Sequence, residues 1–177
     1  MQELTRDVFV ATEPIAAVDC RDIDFLCERV EATPRRRIRL CAHQDVGDAL
    51  HEMLIVLDRD TYIRPHKHLN KVESLHVIQG SADAIFFDEE GKIIQVIPLG
   101  EYGSGRRFYY RVNTPVYHTL VLRSKVFVFH ETTQGPLVRS DTVFAPWSPE
   151  ETDPAAACAY MDRLAGEAGA TAPVTSY

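Results

Sequence analysis

The stretch that decides the fold is HKHLNKVESLHVIQG, residues 66–80. His66 and His68 lie two positions apart, so on a β-strand both imidazoles point to the same face and can bind one metal ion. Glu73 would face the opposite way if that strand continued. Residues 69–72 are therefore predicted to form a bend, with Glu73 at the start of the next strand. Such a bend returns the carboxylate to the imidazole pair.

A further ligand is predicted in the run VYHTLVL, residues 116–122. His118 shares a strand face with Val116, Leu120 and Leu122, so its imidazole points to the apolar, inward side. Without a metal, three imidazoles and a carboxylate would each need hydrogen-bond partners, and incomplete pairing costs on the order of several kcal/mol. Iron, manganese, nickel and zinc all suit such ligands. The expected ligands of one divalent ion are His66, His68, Glu73 and His118.

Short apolar or alternating runs continue from His51 to Phe144. Turn signals such as DRD, DEEG, GEYGSG and RSK separate them at the spacing of an antiparallel sandwich or barrel, and helical periodicity is absent. The sequence therefore predicts an all-β domain. Its eight candidate strands are HEMLIVL, TYIRPHKH, ESLHVIQ, ADAIFF, KIIQVIPL, RRFYYRV, VYHTLVL and KVFVFHE.

The two ends of the chain have a different pattern. In residues 1–45, Asp22 or Asp24 can cap a short helix that runs through Phe25–Val30 before Pro34 stops it. The last segment changes from PWSPEETDP to an alanine-rich stretch with helix propensity, which predicts a short helix and a tail. We expect one domain, made of an N-terminal segment, a barrel and a C-terminal helix with its tail, over residues 1–45, 46–146 and 147–177.

Composition excludes several classes of protein. The 26 acidic and 19 basic residues give a formal charge of -7, which disfavours a general nucleic-acid binder. No apolar run approaches the roughly 20 residues of a membrane helix. The start of the chain lacks the pattern of a secretory signal, so we expect a cytoplasmic protein. The four cysteines form no CxxC pair, which argues against a disulfide scaffold and a zinc finger.

The stretch from His66 to Gly80 resembles the first cupin motif, HxH, three or four residues, Glu, six residues and Gly. Asp60 stands where that motif usually begins with Gly, and of the second cupin motif only His118 is present. The resemblance implies a cupin jelly-roll barrel, also called a double-stranded β-helix. It also implies a homodimer, because cupins commonly pair through their outer strands.

More narrowly, the chain is similar to the WbuC family of cupin-fold metalloproteins. The similar segments are RRRIRLCAH, HEMLIVL, YIRPHKHLNKVES, FFDEEGKI and VFVFHETTQGP. Members are often encoded among genes for surface polysaccharide synthesis. This resemblance implies a small, sugar-derived ligand without establishing a reaction.

Two residues near the predicted site are candidates for moving a proton. His130 shares a face with Val126 and Val128, which makes it either a proton donor in the barrel mouth or a satisfied core group. Tyr117 precedes a ligand and is the other candidate base. Lys67 lies between two ligands and is predicted to point away from them.

An arginine-rich segment precedes the barrel. Residues 35–39 can bind an anionic ligand, although a solvated run of charge is the commoner outcome. With His43, Arg37 and Arg39 are candidate substrate contacts, which follows in part from the family resemblance.

Three functions are consistent with these residues. The first is a metal-dependent isomerase or epimerase acting on a small oxygenated or sugar-derived substrate. The second is an iron dioxygenase. The third is a non-catalytic module that binds a small molecule with the help of the metal. The fold does not decide between them, because one fold can support many chemistries.

Overall fold

Two β-sheets make up most of the computed structural model, which describes residues 1–171 and the side chains of residues 1–169. Every strand pair is antiparallel except β2 with β3. The twelve strands of the described residues are β1 Gln2–Thr5, β2 Val8–Val10, β3 Arg37–Cys41, β4 Leu50–Asp58, β5 His66–His68, β6 Glu73–Gln79, β7 Ser81–Phe87, β8 Ile93–Gly100, β9 Tyr109–Val112, β10 Tyr117–Leu122, β11 Val126–Gln134 and β12 Thr142–Phe144. The two α-helices are α1 Cys20–Arg29 and α2 Pro154–Thr171.

The two sheets face each other across an apolar core. The larger sheet has the strand order β1-β2-β3-β4-β11-β6-β9, and the smaller has the order β12-β5-β10-β7-β8. Side chains from the inner faces of both sheets form the core, including Leu57, Leu75, Phe86, Leu120 and Phe127. The predicted all-β jelly-roll barrel, with a short helical segment before it and a helix after it, is confirmed.

Each sheet also has an outer face covered by a helix. In β11, Phe127 and Phe129 belong to the core between the sheets, whereas Val128 belongs to a second cluster with Leu26 and Val30 of the helical segment. Helix α2 covers the outer face of the smaller sheet, where it packs against strands β7 and β10. Strands in the middle of both sheets are therefore buried on two sides.

Helix α1 begins one turn before the predicted cap. Asp19, not Asp22 or Asp24, is the N-cap residue, and its carboxylate accepts from the backbone N–H of Arg21 at 2.8 Å. Asp22 completes a capping box by accepting from the backbone N–H of Asp19 at 3.0 Å. The reciprocal pair satisfies two amide groups that the first turn leaves free. The prediction of the cap was wrong because the sequence offers several aspartates at suitable spacing.

All eight predicted strand runs contain a strand, but four further strands were not predicted. Strands β1, β2 and β3 extend the larger sheet and join the N-terminal segment to the barrel. Strand β12 pairs with β5 at the edge of the smaller sheet. Three of these four strands have only three or four residues, too few for a periodic signal in the sequence. Of the predicted tail, residues 172–177 lie outside the described residues.

The turn between β6 and β7 depends on Gly80. Its φ of 84° lies in the left-handed region, and an added Cβ would lie 2.3 Å from the carbonyl oxygen of Val126. Only glycine fits this combination of backbone angle and close approach. The turn places β6 in one sheet and β7 in the other, so it connects the strand of Glu73 to the opposite side of the barrel.

No helix among residues 1–171 is long and apolar enough to cross a membrane.

Candidate metal centre

Three histidine side chains converge at one end of the smaller sheet. His66 and His68 lie on β5, and His118 on β10 is the register partner of His66. One ring nitrogen from each residue can be chosen such that all three lie within 4.8 Å of one another. Strand β12 holds the other side of β5, with Phe144 opposite His66. The pairing on both sides fixes the strand that carries two of the three imidazoles.

Each imidazole is oriented by a contact at its Nδ1 atom. Nδ1 of His66 donates to the carbonyl oxygen of Arg64 at 2.9 Å, and Nδ1 of His118 donates to that of Val116 at 3.0 Å. Nδ1 of His68 lies 3.2 Å from the hydroxyl of Thr142. These contacts leave the three Nε2 atoms as the available ligand atoms, and such hydrogen bonds commonly orient metal-binding imidazoles.

Glu73 reaches the histidines from the opposite sheet. It is the first residue of β6, after the predicted bend, and only 7% of its surface is exposed. Its carboxylate oxygens lie 3.1 Å from Nε2 of His68 and 3.6 Å from Nε2 of His118. The carboxylate therefore faces the same space as the Nε2 atoms and makes a fourth ligand available.

Burial and the neighbouring charges set the protonation of this cluster. Burial, and then the neighbouring His118, lower the pKa of His66 to about 3, so its imidazole stays neutral. Burial opposes a charge on Glu73, but hydrogen bonds with His118 and His68 hold the pKa of its carboxyl well below the usual range. Burial likewise opposes a charge on His118, yet Glu73 raises the pKa of that imidazole. A buried anion that is held beside imidazoles suits a cation.

The donor set fits a transition-metal ion. Three imidazole nitrogens and one carboxylate oxygen suit Fe, Mn, Ni or Zn, and four protein ligands leave room for ligand or water on an octahedral ion. Within the described side chains, His68 and His118 are the ion-pair partners of Glu73. The residues present therefore fit the predicted group.

A cavity of about 500 Å³ opens from this cluster. It is lined both by the three histidines with Glu73 and by residues of β3, β4 and β11 in the larger sheet. This volume is in the range of about 300–1,000 Å³ typical of small-molecule sites. An ion held by the four side chains would therefore face a space large enough for a small organic ligand.

The structure brings the predicted substrate contacts to this cavity. Arg37, Arg39 and His43 all line it. The ring of His43 stacks on that of His51 with centroids 4.1 Å apart, and burial lowers the pKa of His43. The stacked pair is fixed further by Nδ1 of His43, which accepts from the backbone N–H of Glu52 at 3.2 Å.

The two predicted proton-transfer residues lie elsewhere. Tyr117 is only 4% exposed and packs in the cluster beneath α2, with its ring 5.7 Å from that of Trp147. His130 shares the outer face of β11 with Val128, and its Nε2 lies 3.8 Å from Glu52. Neither residue lines the cavity. Because neither residue faces the cavity, we assign a catalytic role to neither.

Sequence reasoning missed Glu131, an acidic residue of the cavity wall. It follows Phe127 and Phe129 at alternate positions of β11, so the period of two places it on the inner face. Burial, and then the charge of Glu73, raise the pKa of Glu131 to about 8. The alternation of inward and outward residues along β11 was visible in the sequence. The prediction that His130 faces the barrel mouth assigned the inner face to the wrong set of alternate residues.

Comparisons with known proteins agree with the fold. A family model described as a domain of unknown function (DUF6016) matches residues 18–99. No curated protein matches the sequence. Protein SO0799 from Shewanella oneidensis superposes with a TM-score of 0.54 and 12% identity, over 68% of this chain and 82% of that one.

Two further solved structures are similar over part of their length. CapF, solved with the inhibitor 3-isopropenyl-tropolone, has a TM-score of 0.50 and 14% identity, over 60% of this chain but only 31% of CapF. The cupin domain of Cnp3 from Schizosaccharomyces pombe has a TM-score of 0.44 and 10% identity, over 56% of this chain and 64% of that one. At such identities the similarity concerns the fold alone. The similarity to SO0799 and CapF agrees with the jelly-roll barrel of two facing sheets described above.

Proposed function

We propose that this protein is a cupin metalloprotein that binds one divalent ion and presents it to a small oxygen-bearing ligand in the central cavity. The single observation that carries the proposal is the convergence of three oriented imidazoles, two of which lie beside a buried carboxylate. His66, His68 and His118 would hold the ion with Glu73. Arg37, Arg39 and His43 are the candidate contacts to the ligand.

The surrounding residues support this role by what they do to the ligands. The carbonyl oxygens of Arg64 and Val116 hold two imidazoles in the tautomer that offers Nε2. Phe86 and Phe144 lie against the histidine rings, at centroid distances of 6.1 Å from His118 and 6.2 Å from His66. Phe86 is buried, so it places an apolar ring beside His118, whereas Phe144 is partly exposed. A bound ion would supply Lewis acidity toward a ligand oxygen.

Isomerisation or epimerisation of a sugar-derived substrate is the reaction we propose for this site. Such a reaction needs a group in the cavity that exchanges a proton with the ligand. With Tyr117 and His130 outside the cavity, Glu131 on the inner face of β11 is an acidic residue of the cavity lining that can take this part. The link to surface polysaccharide synthesis is part of the same proposal and has its support in the sequence resemblance alone.

Metal titration of matched histidine variants tests the proposed centre. We expect His68→Ala to lose at least about tenfold in affinity for zinc or manganese, since a ligand is removed. His76→Ala is the matched control, because His76 is exposed on the outer face of β6, three residues from Glu73. Equal affinities of the two variants would show that the ion is not bound where we place it.

Product analysis decides between the reaction classes. Turnover of candidate sugar phosphates or hydroxy acids without oxygen consumption would support an isomerase or epimerase. Oxygen uptake that requires iron would instead indicate a dioxygenase. Ligand-induced thermal stabilisation without any product would indicate a binding module.

A further inference from the structure

Two neighbouring arginines of β3 point into the central cavity. Arg37 and Arg39 alternate with Ile38 and Leu40, which pack against the helical segment on the outer face. The alternation places both guanidinium groups on the inner face, and both residues line the cavity that the metal cluster also lines. Arg37 and Arg39 therefore lie on the same, inner face of β3, whereas Arg35, which also lines the cavity, and Arg36 precede the strand.

The neighbouring arginines have partners within the protein. Arg35 forms an ion pair with Glu151, and Arg36 donates to the buried carboxylate of Asp58 at 2.7 Å. By contrast, neither Arg37 nor Arg39 forms a side-chain hydrogen bond or ion pair within residues 1–169. The charge of Glu131 acts on both inward arginines, and Glu151 and Asp7 also act on Arg37, but no hydrogen bond or ion pair within residues 1–169 occupies the side-chain donors of Arg37 or Arg39.

The missing partners are notable because these side chains are partly removed from solvent. Nε of Arg39 is buried and has no hydrogen-bond partner within the described residues. Burial, and then the charge of Arg35, lower the pKa of Arg37 to about 10. Buried charges are normally paired, so two unpaired guanidinium groups in one cavity indicate a site for an anion.

A second unpartnered nitrogen lies on the same cavity wall. His51 is buried, and its Nε2 is the other buried side-chain nitrogen without a partner in the described part of the chain. Both such nitrogens thus belong to residues that line one cavity. This wall of the cavity therefore carries more polar nitrogens than the described residues satisfy.

We propose that the ligand of this cavity is a small organic anion, whose carboxylate or phosphate group is bound by Arg37 and Arg39 while an oxygen at its other end faces the histidine cluster. Guanidinium groups present paired N–H donors that match both oxyanions. The metal-facing end of the ligand rests on the proposed function, whereas the anion-binding end does not. An uncharged sugar could accept hydrogen bonds from both guanidinium groups but would not balance their charge, so the same reasoning favours an anion over it.

Calorimetric titration of the purified, metal-containing protein tests this proposal. The probes are inorganic phosphate, succinate and ribose 5-phosphate, with uncharged ribose for comparison. The variants are Arg37→Gln and Arg39→Gln, with Arg59→Gln as the matched control because Arg59 is exposed and outside the cavity. We expect ribose 5-phosphate or succinate to bind, and each cavity variant to weaken binding about tenfold or more, since charge-assisted hydrogen bonds are lost. Arg59→Gln should bind like the wild type.

Metal content and thermal unfolding, measured on the same samples, separate the possible failures. If the cavity variants fold and hold metal but bind the anions as well as the wild type does, the proposal is overturned. It is also overturned if wild-type protein binds none of the anions, or binds ribose as tightly as ribose 5-phosphate. If the protein holds no metal but binds anions through Arg37 and Arg39, the anion site stands and the proposed metal function fails. Stronger binding of ribose 5-phosphate than of succinate would identify phosphate as the recognised group, and the reverse would identify carboxylate.

Discussion

Nε2 of His68 lies 3.1 Å from Oε2 of Glu73, although the two residues belong to strands of different sheets. The bend of residues 69–72 brings them together, so an ion bound by both would join the two halves of the barrel. His118 lies on the strand next to that of His68 and approaches the same carboxylate. The proposed metal centre would therefore also link the two sheets.

Removal of the metal should destabilise the protein. Because a ligand that binds only the folded state adds stability, saturation at about 1,000 times the dissociation constant contributes about 4 kcal/mol. We expect a chelator to lower the Tm of the wild type by several degrees and to leave the Tm of His68→Ala nearly unchanged. Differential scanning fluorimetry measures both shifts. A chelator effect of equal size in the two proteins would place its origin outside this cluster.

Glu131 should make the stability of the chelator-treated protein depend on pH. Its folded pKa of about 8 lies above the ordinary value of 4.5, so the folded state retains a proton that the unfolded state releases between these pH values. The contribution of Glu131 to stability therefore falls as pH rises from about 4.5 to 8. Glu131→Gln, which stays neutral, should gain Tm relative to the wild type between pH 5 and pH 9. Glu28→Gln on the exposed face of α1 is the control, and a constant difference for Glu131→Gln would contradict the prediction.

The core between the sheets should be sensitive to truncation at Phe127. This residue has no exposed surface and lies opposite Leu57 in the larger sheet. Phe127→Ala is expected to lower the free energy of unfolding by about 3–5 kcal/mol, because the substitution leaves a cavity. Ile94→Ala, at a position that is 58% exposed, should change it by less than about 1 kcal/mol. Urea unfolding of both variants checks the prediction, and similar losses would show that the core lies elsewhere.

Much of the fold was accessible from the sequence because the ligands of one site and the strands around it share a short stretch. Side chains alternate between the two faces of a strand, which places His66 and His68 on one face. Glu73 can join them only if the chain reverses direction between the two strands, which predicts the bend and the start of β6. The inner face of β10 was also assigned correctly, because His118 lies among apolar residues.

Alternation of side chains along a strand does not identify the inward face when both faces of the strand are buried. All six residues of β10 are buried, since α2 covers the face opposite the core, so Tyr117 and His118 have equally apolar neighbours. The same ambiguity in β11 favoured His130, beside valines that pack under α1, over Glu131. Strands β2 and β12 depend on partners far away in the chain, β3 and β5, which local pattern does not reveal, and β1 joins the sheet through β2.

A homodimer is a further proposal that a solution measurement can test. Strand β9 is the last strand of the larger sheet, and Tyr109 on it is 49% exposed beside Phe108, which is 38% exposed. An open edge with exposed aromatic residues favours association with a second copy. Light scattering should give twice the chain mass of 20.0 kDa. A monomer at micromolar concentration would contradict the proposal.

The most direct test of the central claim is the metal content of the wild-type protein. Protein purified without chelators and offered iron, manganese, nickel and zinc should retain about one divalent ion per chain after gel filtration, measured by plasma mass spectrometry. The same treatment of His68→Ala should leave most chains without metal. A wild-type protein that retains none of the four ions, or a His68→Ala variant that retains a full equivalent, would contradict the account.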